Sequence, residues 1–68
     1  MNAALLEYEM KCRKVSKAEM CEVLGISRTA FYRKCNGISE FTQSEIQKIA
    51  NYLNLEDIVP IFFTERVS

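Results

Sequence analysis

The sequence has no histidine, only two glycines and one proline among 68 residues, and charges that cancel to +0. Each shortage excludes something. Without histidine the chain lacks the side chain that most often serves as general base or metal ligand near neutral pH. No carboxylates paired in a pocket-like context and no glycine-rich phosphate loop make up for it, so an enzyme finds no support. So few breakers leave too few turns for a β-sandwich or barrel, and the chain is expected to be helical. The three cysteines, Cys12, Cys21 and Cys35, form no CxxC pair. Neither a metal nor a cofactor is expected. Their odd number suits a reducing cytoplasm, with the thiols as small buried apolar groups. The opening MNAALLEYEMKCRK carries charges in its interior, unlike a secretory leader or a membrane span. Repeats, linkers and low-complexity tracts are absent from the sequence.

What is present is apolar content, at 49% of residues, enough for a folded core. The length implies one domain, residues 1–68. Charge is unevenly spread. Residues 11–34 hold Lys11, Arg13, Lys14, Lys17, Arg28, Arg33 and Lys34 against Glu19 and Glu22, a net of +5, and the remainder carries −5. A neutral sum argues against binding a polyanion, but the distribution matters more than the sum.

Periodicity and capping signals predict four helices and a possible fifth. Ala3, Leu6 and Met10 share a face of a first helix, from about Asn2 to Arg13, with Asn2 as N-cap. No glycine precedes Val15, and this helix is expected to end less sharply than in proteins that resemble the chain. Ser16 and Glu19 form a capping-box pattern that opens a second helix bearing Ala18, Met20, Cys21 and Leu24, which Gly25 ends. Ser27 caps a third helix, RTAFYRKC, stopped by Asn36-Gly37. Thr42 and Glu45 repeat the capping box and start a fourth, with Ile46, Ile49, Ala50 and Leu53 on its apolar stripe and Asn54 at its end. A short fifth helix from Glu56 is expected to stop before Pro60, unless Pro60 opens a separate turn. The IFFTERVS tail reads as extended.

The informative feature is the joint between the second and third helices. Only Ile26 separates the closing Gly25 from the capping Ser27. Two helices joined so tightly must cross steeply, as in a helix-turn-helix, residues 16–37 here. Met20, Leu24, Ile26 and Phe31 are apolar where the pair must pack, and Cys21 is small where it crosses. With Phe31 inward, Arg28, Thr29, Tyr32 and Arg33 fall on outward faces of the third helix.

Residues 16–37 resemble the helix-turn-helix of lambda-repressor- and Cro-like regulators. LGISRTAFYRKCNG, SEFTQSEIQKIANYLNL and the IFF tail together resemble small phage and prophage regulators of Gram-positive bacteria. The resemblance implies an all-α, four- to five-helix fold with the helix-turn-helix at helices 2 and 3. It also implies a repressor-like, cytoplasmic regulator that reads an operator in double-stranded DNA through the major groove. Base contacts would fall to Arg28, Thr29 and Arg33. Arginine can bond both acceptors of guanine, and threonine can set a methyl against thymine. Tyr32 joins them, open to a base, a sugar or a phosphate. Lys17, Ser27, Asn36 and Thr42 match phosphate-holding positions, and the basic Lys34 is grouped with them. Two residues depart from the family pattern. Lys17 stands where glutamine is common, and Lys34 stands where an apolar residue usually closes the third helix onto the core.

Each assignment has a plainer alternative. Ser16, Ser27 and Thr42 are caps before they are anything else. Arg33 and Lys34 could form an ordinary solvated face, were the turn motif not beside them. Of the adjacent Phe62 and Phe63, one is expected in the core and one at a dimer contact, within a tail of residues 56–68 that also holds Ile58 and Ile61. Two half-sites one helical turn apart would suit a homodimer on DNA. No membrane or small-molecule partner is expected. The competing function is a protein-binding helical module, an antirepressor or adaptor, favoured by zero net charge and the apolar tail.

Overall fold

The computed structural model describes residues 1–63. Five helices follow one another: α1 (Ala3–Cys12), α2 (Lys17–Leu24), α3 (Arg28–Cys35), α4 (Gln43–Leu53) and α5 (Val59–Phe62). The described residues contain no strand. The first four helices each start on a side-chain cap. Asn2, Ser16, Ser27 and Thr42 accept from the N–H of Leu5, Glu19, Ala30 and Glu45 at 3.0–3.1 Å. Such caps contribute about 1 kcal/mol each. The Thr42 box closes, with the Thr42 N–H donating to Glu45 Oε1 at 2.9 Å. The Ser16 box stays half made. α2 packs on α4, and the Tyr52 hydroxyl donates to the Glu19 carboxylate, which therefore does not return to Ser16.

All four long helices end in one way. Lys14, Gly25, Gly37 and Asn54 take φ of 58°, 70°, 79° and 56°. The apolar residue after each then bonds back across the helix end. Val15 N–H reaches Met10 O at 2.9 Å, Ile26 reaches Cys21 at 3.1 Å, Ile38 reaches Arg33 at 2.9 Å and Leu55 reaches Ala50 at 2.9 Å. This six-to-one closure satisfies carbonyls that a helix end leaves orphaned. α1 therefore ends as sharply as its neighbours without a glycine. Val15, Ile26 and Leu55 fold onto the core. Ile38 does not, and stays 70% exposed.

Leu6 and Met10 of α1, Met20, Cys21 and Leu24 of α2, Phe31 of α3, Ile46, Ile49 and Leu53 of α4, and Ile61 of α5 are buried. Ala18, expected on the apolar face of α2, is exposed. The expected helix from Glu56 does not form. The Asp57 carboxylate instead accepts from the Val59 N–H at 3.0 Å, and α5 begins there with Pro60 in its first turn. A first-turn N–H has no helical partner, so proline loses nothing at that point. α5 packs on α1, and the Asn2 N–H donates to Ile61 O at 2.7 Å. Thus Ile61–Phe62 is helical rather than extended; residues 64–68 of the tail lie outside the described residues. Edge-to-face contacts join Phe31 to Phe41 (5.9 Å) and Phe41 to Phe62 (5.7 Å), linking α3 to α5 through the α3–α4 loop.

Candidate nucleic-acid interface

Phe31 anchors α3 in the core, which turns Arg28, Thr29, Tyr32 and Arg33 to solvent. Gly25 supplies the left-handed turn, half-buried Ile26 plugs the joint, and the buried Cys21 thiol lies 3.9 Å from Ser27 O. The short joint and the inward phenylalanine together present the helix face. Beside it opens a cleft of about 450 Å³ that brings Arg28, Thr29 and Tyr32 together with Lys17 and Asn36; Glu7 of α1 also lines it. Ser27, Arg33 and Thr42 lie outside that cleft.

The fold reduces the charge excess seen in the sequence. Lys17 Nζ lies 3.5 Å from Glu7 Oε2, Lys34 Nζ lies 2.9 Å from Glu45 Oε1, and Arg13 pairs with Glu9. All three carboxylates come from outside the basic segment. Among the described residues Arg28 and Arg33 make no ion pair. They are the two unpaired cations on α3.

Lys34 is the main departure from the expected phosphate set. Its side chain is 14% exposed, it also donates to Glu40 O at 3.1 Å, and its ammonium lies 5.8 Å from the Phe41 ring centroid. The ammonium is committed to the start of α4, away from the cleft. Its stem fills the place where an apolar residue was expected. Burial pushes the Glu45 carboxyl up, but the Thr42 N–H, the Lys34 ammonium and the Thr42 hydroxyl outweigh it, leaving its pKa below the usual glutamate value. Neither Glu7 nor the Lys34–Glu45 tie was legible in the sequence. Glu7 and Lys17 are ten positions apart on different helices, and no local pattern couples them.

Ser27 and Thr42 are exposed, and both hydroxyls already accept cap bonds. Their O–H groups keep the capacity to donate. Asn36 is exposed at the end of α3, and its amide donates to Tyr32 O at 2.7 Å. The thiols do not behave alike. Cys21 is buried, Cys35 is half-buried and Cys12 is exposed, against the expectation of three buried groups. Burial pushes the Cys35 thiol up to about 11, so it stays neutral. The described residues hold no group of three or more metal-ligating side chains. No described helix is long and apolar enough to cross a membrane.

Of the expected tail contacts, Ile61 needs correction. Ile61 is 2% exposed and unavailable to a partner, because α5 seats it against the core. Phe62 is half-buried against Phe41, and Ile58 is half-buried too. Phe63 alone of the four is exposed. It lines a groove of about 390 Å³ with Met1, Phe41, Ile46 and Phe62.

The model of the BetR domain matches residues 3–62. The chain belongs to the BetR domain family. At the level of a broad class, this places it among small helix-turn-helix DNA-binding regulators. The match runs from the first residue of α1 to the last of α5, so the BetR unit is the whole five-helix body, not the helix-turn-helix alone. No curated protein and no solved structure matches the chain.

Proposed function

We propose that this BetR domain is a sequence-specific reader of double-stranded DNA, repressor-like in action and of the lambda-repressor and Cro type found in phages and prophages. The observation that carries this is the outward face of α3. Arg28 and Arg33, unpaired among the described residues, stand with Thr29 and Tyr32 on a helix fixed by a one-residue joint. These four side chains read base edges. Lys17, Ser27, Asn36 and Thr42 hold phosphates. Lys34 is left out because its ammonium is already bonded. The protein works without catalysis, cofactor or small-molecule ligand, in the cytoplasm, and as a homodimer on a two-half-site operator. Exposed Ile38 and Phe63 favour the dimer, since large apolar groups left in water mark contact surfaces.

Exposed Phe63 also favours a second reading, a helical module that binds another protein through the groove it lines. Selection from a random duplex library near physiological salt separates the two. A palindromic motif is the expected result. Folded, soluble protein with no enriched sequence would reject the DNA reading in favour of a protein partner.

A further inference from the structure

Lys17 is the one cation in the proposed phosphate set, and it already faces a carboxylate that stands in the DNA-facing cleft. Glu7 projects from α1 and lines the cleft with Lys17, Arg28 and Tyr32. Its Oε2 is 3.5 Å from Lys17 Nζ, and the two side chains are 53% and 57% exposed. Neither group is needed to fill the core, and neither is locked in place. Cys35 also lines the cleft; burial raises its thiol pKa most, the Glu7 charge raises it further and Lys17 lowers it. A DNA phosphate arriving at Lys17 therefore meets an occupied cation and a like charge beside it.

We infer that Glu7 competes with the DNA backbone for Lys17 and thereby holds down the sequence-independent part of DNA affinity. This rests on the proposed DNA reading and names a residue that tunes it. Exposed ion pairs are weak, so the Glu7–Lys17 bond is readily exchanged for a phosphate. The carboxylate nonetheless subtracts from the positive charge that the duplex meets. Backbone contacts supply nearly all non-specific binding. Acidic Glu7 thus leaves base reading by Arg28 and Arg33 a larger share of the total.

The test needs no operator. Binding of a mixed-sequence duplex is measured as a function of salt for wild type, Glu7→Gln, Lys17→Ala and the double variant. Glutamine keeps the size of Glu7 and one acceptor oxygen and removes its charge. Expected is a gain of about 3- to 10-fold for Glu7→Gln at low salt, with a salt slope steeper by up to about 1. In the Lys17→Ala background the gain should fall to less than half. Thermal melting of each variant should match wild type, showing that the fold is kept. Unchanged or weaker binding by Glu7→Gln would overturn the inference, since a merely positioning role for Glu7 predicts a loss. A full gain in the Lys17→Ala background would overturn it as well. Wild-type protein that binds no duplex at low salt would sink the DNA reading itself and this inference with it, a result distinct from either.

Discussion

Lys14 occupies a left-handed conformation at φ 58°, where a β-carbon costs roughly 1 kcal/mol or more. The exchange is an entire helix closure, since Lys14 places the Val15 N–H on the Met10 carbonyl. Lys14→Gly should raise stability by up to about 1 kcal/mol, the relief being partly offset by a freer unfolded chain. A shift of the urea midpoint at unchanged slope would measure it. At the same scale, the two kinds of proposed DNA contact should respond differently to truncation. Arg33→Ala should weaken operator binding by about 1–3 kcal/mol and relax preference at one base. Lys17→Ala should weaken all sequences alike and flatten the salt slope by about 0.9. Binding measured on operator and scrambled duplex at several salt concentrations distinguishes them. Equal losses on both duplexes for Arg33→Ala would remove that residue from base reading.

At the scale of elements, α3 is held at both ends. Its start is fixed by the joint at Gly25–Ser27 and its end by Lys34, which bonds the Glu45 carboxylate at the first turn of α4. The depressed pKa of Glu45 links this tie to pH. A carboxyl whose folded pKa lies below its unfolded value contributes stability that is fully present above the unfolded value. That contribution is lost as pH falls from about 4.5, the ordinary glutamate value, through the folded one. Glu45→Gln keeps an acceptor for the Thr42 N–H but removes the charge facing Lys34. It should destabilise the protein by about 1 kcal/mol at neutral pH and flatten the decline of stability below pH 4.5. Chemical denaturation between pH 3 and pH 7 would show both. A decline of undiminished steepness in the variant would assign the acid sensitivity to other carboxylates.

At the scale of the whole molecule, the question is what covers Ile38 and Phe63. Four helix closures present an apolar residue, and three of these fold inward. Ile38, immediately after the proposed reading helix, is 70% exposed, and Phe63 is 53% exposed. A two-fold contact through either residue would set the spacing of two reading helices, which must match a DNA turn of about 34 Å. Ile38→Ser with Phe63→Ser should leave melting nearly unchanged, because both side chains already face water. If the proposed dimer forms through them, the double substitution should convert operator binding from two copies to one and reduce affinity at least tenfold. Sedimentation of the complex with a two-half-site duplex gives the stoichiometry. Two copies bound at wild-type affinity would exclude Ile38 and Phe63 from the proposed dimer contact.

The sequence by itself determined the local events. Asn2, Ser16, Ser27 and Thr42 cap helices because short polar side chains satisfy N–H groups a few residues ahead. Gly25 turns the chain at the joint, and the helical period leaves Phe31 inward with Arg28, Thr29, Tyr32 and Arg33 outward. All of these depend on neighbours within about one helical turn. Tertiary structure alone decided the partnerships between distant residues. It gave Glu19 to Tyr52 and left the Ser16 box half made, drew Lys34 to Glu45, set Glu7 against Lys17 and seated Ile61 in the core while Ile38 stayed out. Packing chose these partners, because a long side chain on one helix can reach several others. Which carboxylate lies within its reach depends on how the helices cross, and no local spacing records that.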